Sequence, residues 1–359
     1  MIPVTKPFLP PVEQYERYIK EIWQNNWVTN NGPLLKSLEN QLQQYLNCEP
    51  VVMLSNGTIG LQLAIKAMGL SGEVITTPFS YIATANSIIW ERCTPVFVDI
   101  DSHTYNIDPK AIENAISECT TGIIATHVFG NACDIDHISA IASRHHLKVI
   151  YDAAHSFGVT YQGSSILNYG DISVISFHAT KIFHSIEGGA IVAKYPDIQH
   201  RCKQLRNFGH AGTYEYDGIG INAKNSELHT AMGLCMLDYV DEVVIRRKQQ
   251  YLQYQQRLGG RLQFQQLEPN MDTYNYAYCP VVFPDENSLD RAIEFSHQQE
   301  VYPRRYFYPS LDHIVSHQRS GGPLPNTHSV ADRILCLPLY HDLREDQIDM
   351  IADLILKVV

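Results

Sequence analysis

Short apolar runs alternate with segments of helical periodicity through the first half of the chain. The apolar runs lie at 51–54, 74–77, 96–98, 122–126 and 149–151. Between them, segments such as 59–68 and 109–117 repeat apolar residues every three or four positions, and two further helices are expected at 12–25 and 34–47. Strands that alternate with helices form parallel sheets covered on both faces. The pattern therefore predicts an α/β domain with a large, mostly parallel, mixed sheet.

The pattern changes after about residue 190. The segment 225–258 has helical periodicity along its whole length, which predicts one long helix. A strand at 276–282 and a helix at 288–299 follow, and apolar residues at helical spacing continue towards the end of the chain. We expect a boundary near residue 250, which divides the chain into a large α/β domain (1–250) and a smaller α+β domain (251–359).

Composition narrows the classes of function. The 38 acidic and 27 basic residues give a net charge of −11, and no run of Lys or Arg forms a basic stripe, so no nucleic-acid partner is expected. The eight cysteines are scattered without a C-x-x-C pair, which is typical of thiols in a reducing compartment. No run of eighteen apolar residues and no signal-peptide pattern occurs. We expect a cytoplasmic protein that does not associate with membranes.

Two charged residues stand directly after predicted buried strands. Asp152 ends the apolar run 147–151, and Lys181 lies just beyond the apolar segment 173–177. Ligands of open α/β sheets bind at the carboxyl ends of the strands. A lysine among apolar residues loses hydration, so its pKa falls and its amine becomes nucleophilic. Taken singly, Asp152 also fits a helix cap, and Lys181 also fits a solvated surface charge.

The segment Ser-Asn-Gly-Thr at 55–58 joins a predicted strand to a predicted helix. Free backbone N–H groups at the start of a helix attract phosphate, and the Thr58 hydroxyl adds a donor, although the segment alone also fits an ordinary N-cap. It is neither a Walker loop nor a G-x-G-x-x-G turn. A reactive lysine, a carboxylate and a phosphate loop at one sheet edge are together the groups that pyridoxal phosphate needs for its aldehyde, ring nitrogen and phosphate.

Ten segments of the chain resemble the DegT/DnrJ/EryC1/StrS family of sugar aminotransferases. They are SNGT (55–58), PFSYIATANSI (78–88), PVFVDID (95–101), HVFGNACDID (127–136), YDAAHSFG (151–158), SFHATKIFHSIEGGAIV (176–192), RNFGH (206–210), GINAKNSELHTAMG (220–233), RRYFYP (304–309) and LPLY (337–340). The resemblance covers nearly the whole chain, and the lysine segment is its most specific part. It implies an aspartate-aminotransferase-like fold (pyridoxal-phosphate fold type I), the cofactor pyridoxal phosphate, and a homodimer whose active sites are built from both subunits.

The resemblance also assigns the cofactor-binding residues. Lys181 matches the lysine that bonds to the cofactor and Asp152 the partner of the ring nitrogen, which makes these two the expected catalytic residues. His155 stands where many relatives have a glutamine beside the ring hydroxyl. Tyr81 matches an aromatic residue that stacks on the ring, although core packing explains it equally well. The remaining positions match contacts to the cofactor phosphate: Gly57, Thr58, Ser176 and, from the neighbouring subunit, Asn222.

A further set of residues is expected to border the substrate. These residues are Thr29 and Asn30 in the loop 27–33, His178, His184, Lys224 and Arg304. Lys224 is a candidate for the nucleotide phosphates, and a surface lysine is nearly as common. His178 and His184 flank the reactive lysine, but no carboxylate or third histidine completes a metal set, so no metal is expected.

The expected activity is a transamination in two halves. L-glutamate gives its amino group to the cofactor, which passes it to a nucleotide-linked keto sugar. The motifs resemble the branch that converts dTDP-4-keto-6-deoxyglucose into dTDP-4-amino-4,6-dideoxyglucose, an activity of polysaccharide and O-antigen biosynthesis. Amination at carbon 3 and a UDP-linked sugar stay open, as does a non-enzymatic regulatory protein on the same fold. Lys181 argues against the dehydratases of the family, which carry histidine there.

Overall fold

A computed structural model of the chain describes all 359 residues. It contains twelve α-helices and sixteen β-strands. The helices are α1 (Val12–Asn25), α2 (Pro33–Leu46), α3 (Gly57–Ala67), α4 (Ile82–Trp90), α5 (Pro109–Ala115), α6 (Ile135–His145), α7 (Pro196–Arg206), α8 (Glu227–Leu237), α9 (Val240–Leu258), α10 (Glu286–Gln298), α11 (Pro325–Ala331) and α12 (Glu345–Leu356).

In chain order the strands are β1 (Ile2–Pro3), β2 (Val51–Leu54), β3 (Glu73–Thr76), β4 (Thr94–Phe97), β5 (Thr120–Thr126), β6 (Lys148–Asp152), β7 (Thr160–Tyr161), β8 (Ser164–Ser165), β9 (Ile172–Ser176), β10 (Gly189–Ala193), β11 (Gln263–Phe264), β12 (Met271–Thr273), β13 (Cys279–Val282), β14 (Val301–Tyr302), β15 (Arg319–Ser320) and β16 (Ile334–Leu337). Strands and helices alternate from β2 to β6.

An eight-stranded mixed sheet lies at the centre of the larger part of the molecule, in the order β15-β4-β3-β5-β6-β9-β10-β2. Strand β10 is antiparallel to both of its neighbours, and every other pair in this sheet is parallel. Side chains of a strand alternate between the two faces. Accordingly, Val51 and Met53 of β2 join the apolar core on one face, and Val52 and Leu54 join the core on the other. The predicted α/β class with a mostly parallel mixed sheet is confirmed.

Helix α2 shows how local sequence sets an element of this fold. Pro33 occupies its first turn, where the missing N–H costs nothing, and Asn47 ends it in the left-handed conformation with φ 45°. From Leu35 onward its buried leucines recur every three or four positions (Leu35, Leu38, Leu42 and Leu46) and form one face. The carboxylate of Glu227 accepts hydrogen bonds from the N–H groups of Leu34 and Leu35, at 2.8 and 2.9 Å, so α8 caps the start of α2.

The C-terminal part builds a second core around the antiparallel sheet β11-β13-β16. Helix α9 belongs to both cores, because Val240 and Val243 pack into the first whereas Tyr251 and Tyr254 pack into the second. Strand β15 returns to the edge of the large sheet beside β4. The boundary expected near residue 250 falls inside α9 and stays a prediction. No helix combines the length and the apolar character that crossing a bilayer requires.

The single helix predicted at 225–258 is wrong, since the structure divides it into α8 and α9 at Asp238 and Tyr239. No proline or glycine marks the break. Helix α8 packs against α1 and α2, whereas α9 packs against α12, so the two helices follow different partners. Asp241 and Glu242 lie in the first turn of α9, where acidic side chains stabilise the positive end of a helix.

Candidate active site

The carboxyl ends of β2, β6 and β9 open onto one cavity of about 950 Å³. The three strands point the same way, because β2 and β9 are both antiparallel to β10 and β6 is parallel to β9. Most of the residues expected at the site line this cavity: Thr29, Gly57, Thr58, Tyr81, Asp152, His155, Ser176, His178, Lys181, Lys224 and Arg304. Segments far apart in sequence therefore meet where the sheet topology directs them.

The phosphate loop is a tight connection between β2 and α3. The Oδ1 atom of Asn56 accepts a hydrogen bond from the N–H of Ile59 at 2.9 Å and so fixes the start of the helix. Strand β10 passes directly behind this loop: a Cβ atom on Gly189 would lie 2.6 Å from the carbonyl carbon of Asn56. A Cβ on Gly57 would lie 3.2 Å from Cβ of Ser176. The glycines thus allow two strand ends to close around the N-terminus of α3, which is an anion site.

The Asp152 carboxylate is buried at the end of β6. Its Oδ2 accepts a hydrogen bond from the Thr84 hydroxyl at 2.7 Å, and its Oδ1 accepts one from the N–H of Ala154 at 3.1 Å. Burial raises the pKa of Asp152, whereas these hydrogen bonds and the positive charge of Lys181 act to lower it. The protein therefore provides specific donors for a carboxylate that water does not reach.

Two further hydroxyl groups extend the contact from Thr84. Ser80 Oγ lies 2.9 Å from Thr84 Oγ1 and 3.0 Å from Thr126 Oγ1, and all of these residues are buried. Thr84 has one hydroxyl proton, which it donates to Asp152, so it must accept from Ser80. Ser80 in turn accepts from Thr126. The three hydroxyl protons thus point towards the carboxylate and reinforce one another.

Lys181 follows β9 in a short turn, in which its N–H donates to the carbonyl oxygen of His178 at 2.9 Å. Its side chain lines the cavity, and Nζ lies 3.3 Å from the hydroxyl oxygen of Tyr278. Burial lowers the pKa of Lys181 to about 8, although the charge of Asp152 acts in the opposite direction. A large fraction of this amine is therefore neutral, and so nucleophilic, at mildly alkaline pH.

His155 is held in one tautomer. Its Nδ1 accepts a hydrogen bond from the N–H of Phe129 at 3.1 Å, so the proton of the neutral ring is on Nε2. Burial lowers the pKa of His155 well below its usual range, and the positive charge of Lys181 adds to this effect. A neutral ring in the cavity wall thus offers a single N–H donor to a ligand.

Comparison with known proteins identifies the family of this chain. The DegT/DnrJ/EryC1/StrS aminotransferase family matches residues 12–356. The chain belongs to this family. The dTDP-4-amino-4,6-dideoxy-D-glucose transaminases of Shigella dysenteriae and Escherichia coli are 40% and 38% identical to it, over 99% of this chain and 98% of each relative. The crystal structure of DesI in the presence of its TDP-sugar product superposes with a TM-score of 0.93 at 31% identity, over 98% of this chain and 91% of DesI.

The family and the fold agree with the expectations from sequence, and pyridoxal phosphate is the cofactor of this aminotransferase. The residues in the cavity fit pyridoxal phosphate. Lys181 supplies an amine of lowered pKa for an aldehyde, and Asp152 supplies a supported carboxylate for a ring nitrogen. The start of α3 and the end of β9 supply N–H and hydroxyl donors for a phosphate.

Three aromatic residues in the cavity wall of the aminotransferase were not expected from the sequence. Tyr278, Tyr306 and Phe307 come from the C-terminal part of the chain. The Phe307 ring lies parallel to that of His155 with centroids 6.0 Å apart, and the Tyr278 ring tilts against His155 at 4.6 Å. Tyr306 and Phe307 belong to the RRYFYP segment, which carries the family resemblance but gives no role to either residue. No local signal marks Tyr278.

The outer part of the cavity carries two cations without a carboxylate partner. Lys224 donates a hydrogen bond to Oδ1 of Asn222 at 2.7 Å and lies 4.6 Å from the ring centroid of Phe208. Desolvation lowers the pKa of Lys224. The guanidinium group of Arg304 lies 5.7 Å from the ring centroid of Tyr306. The cavity lining also contains residues to which the sequence assigned no role: Thr180, Glu187, Asn225, Ser226 and His229.

Three expected site residues lie outside the cavity lining. His184 is buried: its Nε2 lies 2.7 Å from the carbonyl oxygen of Phe8 and its Nδ1 accepts from the N–H of Ile186. This corrects the expectation that His184 borders the sugar, because both ring nitrogens already have structural partners. Asn30 lies in an exposed loop with φ 63°. Asn222 is exposed on the outside of its own subunit.

Proposed function

We propose that this aminotransferase transfers an amino group from L-glutamate to dTDP-4-keto-6-deoxyglucose and so forms dTDP-4-amino-4,6-dideoxyglucose. The observation that carries the proposal is the cavity of about 950 Å³, which is lined by the reactive amine of Lys181 and by two cations without a carboxylate partner, Lys224 and Arg304. A sugar carried on a nucleoside diphosphate needs both the space and the positive charge. The 40% identity to a transaminase of this product supports the same substrate.

Each residue of the cavity has its own role in the proposed transamination. When bound, pyridoxal phosphate accepts the electron pair left on the substrate carbon after that carbon loses its proton. Lys181 would hold the cofactor through Nζ, and its freed amine would take that proton and return it, acting as base and then as acid. Asp152 places a negative charge opposite the ring nitrogen. His155, whose Nδ1 accepts from Phe129, would offer its Nε2–H as a donor to the cofactor.

The remaining lining residues bind and orient. Gly57, Thr58 and Ser176 hold the cofactor phosphate at the start of α3. The Tyr81 ring lines the cavity and is 60% exposed, so it would be available to hold the cofactor ring.

Apart from the residues that hold the cofactor, a second set of side chains binds the substrate. Lys224 and Arg304 attract the diphosphate, and Thr29 and His178 border the sugar. His178 keeps its Nδ1 at 2.8 Å from Thr180 Oγ1, which orients the ring, and Glu187 lies 3.6 Å from its Nε2. Cytoplasmic location stays a prediction.

The active form is proposed to be a homodimer that shares its sites. The segment from Phe208 to Asn222 exposes several large apolar side chains, including Tyr214 at 91%, Tyr216 at 65% and Ile219 at 79%. Contiguous apolar exposure of this kind is typical of a surface that another subunit covers. Asn222 lies at the end of this segment and is proposed to reach the cofactor phosphate of the neighbouring subunit.

The test is to follow cofactor absorbance in the purified holoenzyme while the two substrates are added in turn. Glutamate should bleach the yellow colour, and dTDP-4-keto-6-deoxyglucose should restore it while mass spectrometry detects the amino sugar. NMR of the product then places the amine at carbon 4 or at carbon 3. Bleaching without recovery would reject this sugar nucleotide and direct the search to UDP-linked keto sugars. A protein that does not respond to any amino donor would support a regulatory role instead.

A further inference from the structure

The hydroxyl group of Tyr278 lies beside the reactive amine. Lys181 Nζ is 3.3 Å from Tyr278 Oη, and this is the only hydrogen bond that the hydroxyl makes within the protein. Tyr278 stands just before β13, almost one hundred residues after Lys181 in sequence, and it lines the cavity beside the lysine. Tyr278 lies in none of the family motifs and has no role in the proposed transamination.

Tyr278 is held firmly from several sides. Its ring packs against His155, Phe129 and Tyr306, with centroids 4.6, 5.4 and 5.8 Å apart. The residue before it is fixed as well, because the buried guanidinium group of Arg247 donates to the carbonyl oxygen of Ala277 at 3.0 Å. A phenol with so many fixed neighbours presents its hydroxyl at one position.

A phenol hydroxyl suits an amine that changes its charge. It accepts a hydrogen bond from an ammonium group, and it donates one to the lone pair of a neutral amine. Burial raises the pKa of Tyr278, so the hydroxyl keeps its own proton throughout the working pH range. The Asp152 carboxylate cannot serve both states, because an ionised carboxylate only accepts hydrogen bonds and so cannot donate one to a neutral amine.

We propose that Tyr278 is a positioning residue that holds the amine of Lys181, in both of its protonation states, whenever that amine is not bonded to the cofactor. The proposal rests on the transamination proposed above, in which each half-reaction frees the amine. While free, Nζ takes a proton from the substrate carbon and gives it up again, and Tyr278 exchanges no proton. A lysine side chain without this contact has four freely rotating bonds, and its amine spends less time in reach of the carbon.

The first experiment needs neither substrate. Full-length apoenzyme is acetylated at a series of pH values, and mass spectrometry gives the rate at Lys181, from which its pKa follows. Tyr278→Phe removes only the hydroxyl, and Tyr276→Phe is the control because Tyr276 lies in the same segment and its hydroxyl has no hydrogen-bond partner in the protein. The bond to an ammonium is the stronger of the two states, so Tyr278→Phe should lower the pKa of Lys181 by about half a unit or more.

The second experiment follows the holoenzyme during a single turnover with L-glutamate. We expect Tyr278→Phe to slow the reaction about tenfold with less than a twofold change in the glutamate concentration for half-maximal rate. Tyr276→Phe should match the wild type, and equal melting temperatures exclude a folding defect. An unchanged Lys181 pKa together with an unchanged rate would overturn the proposal. A wild-type enzyme that does not react with glutamate would contradict the amino donor instead, and the apoenzyme titration would still decide the role of Tyr278.

Discussion

At the scale of single residues, the environment of each group sets its chemistry. Asp152 and Lys181 carry ordinary side chains, but burial raises the pKa of the carboxyl and lowers that of the amine. The protein then supports the charged form of Asp152 with the Thr84 hydroxyl and supports the neutral form of Lys181 by excluding water. The site thus contains a supported anion and a reactive amine in one cavity.

The lysine itself is the first prediction. Lys181→Arg keeps a positive charge but cannot bond to the cofactor aldehyde or shuttle a proton at neutral pH, so turnover should fall at least about a thousandfold. Steady-state product formation measures the loss. Lys194→Arg, which alters a lysine that lies against Tyr195 outside the cavity, should be unaffected. Substantial turnover in Lys181→Arg would remove the central claim.

The lowered pKa of Lys181 predicts a pH dependence. Only the neutral amine attacks an aldehyde, so the rate at which apoenzyme captures pyridoxal phosphate should rise with pH and level off above a pKa of about 8. An unperturbed lysine would be only about 0.3% neutral at pH 8. Stopped-flow absorbance over pH 6 to 10 measures the curve. A rate that keeps rising steeply up to pH 10 would show that the pKa is not lowered.

The hydroxyl chain predicts the effect of Thr84→Val. The substitution keeps the shape but removes a hydrogen bond to a buried charge, so the negative charge opposite the cofactor ring is less stable. We expect cofactor affinity to fall roughly tenfold, measured by equilibrium dialysis. The control is Thr76→Val, because the Thr76 hydroxyl is buried without a hydrogen-bond partner. Equal effects of the two variants would mean that the contact with Asp152 has no special role.

At the scale of elements, strand ends and helix starts bring these groups together. Strand β10 contributes no expected catalytic residue, yet it runs between β9 and β2 and fixes the distance between the lysine turn and the phosphate loop. Its first residue, Gly189, touches the backbone of Asn56 so closely that no side chain fits. Packing therefore explains the second glycine of the Gly-Gly pair, although the pair appears in the sequence as part of a catalytic signature.

This packing predicts that Gly189→Ala displaces the phosphate loop. A Cβ atom would lie 2.6 Å from backbone atoms of Asn56 and Gly57, which cannot move as a flexible side chain would. We expect a loss of about 1–3 kcal/mol in the free energy of unfolding and weaker cofactor binding. Thermal unfolding with and without pyridoxal phosphate measures both. Gly260→Ala, where a Cβ would meet nothing within 4 Å, is the control, and equal behaviour of the two variants would refute the packing argument.

At the scale of the whole molecule, the active site depends on the C-terminal part of the chain and, in our proposal, on a second subunit. Tyr278, Tyr306 and Phe307 complete one wall of the cavity, and Arg304 supplies charge at its opening. Asn222 is exposed and is absent from the cavity lining of its own chain. A closed dimer with two-fold symmetry would exchange such residues between its two sites.

Mixing two inactive variants tests this exchange. Lys181→Ala and Asn222→Ala are each expected to lose most activity. The two variants are co-expressed with separate affinity tags and purified as the heterodimer. If Asn222 acts in the partner subunit, the intact Lys181 of one subunit and the intact Asn222 of the other form one complete site. About half of the wild-type activity should then return. A heterodimer as inactive as either parent would place Asn222 in its own subunit. Sedimentation velocity provides the assembly state of every sample.

The sequence by itself determined the parts of this protein that depend on local pattern. Strands β2 to β6, the first helices, the lysine turn, the acid at the end of β6 and the phosphate loop follow from alternation, periodicity and short motifs, because neighbouring residues fix such elements. The sheet edge then brings Asp152, Lys181 and Gly57 together, since the carboxyl ends of parallel strands meet at one edge.

Only the tertiary structure decided which residues complete the site. Tyr278 reaches Lys181, His184 anchors the backbone of Phe8 away from the cavity, and Asp238 ends a helix that the local pattern would continue. Each of these outcomes depends on contacts between segments distant in sequence. A local pattern specifies which face of an element is buried, whereas the partner that buries it is chosen by the packing of the whole chain.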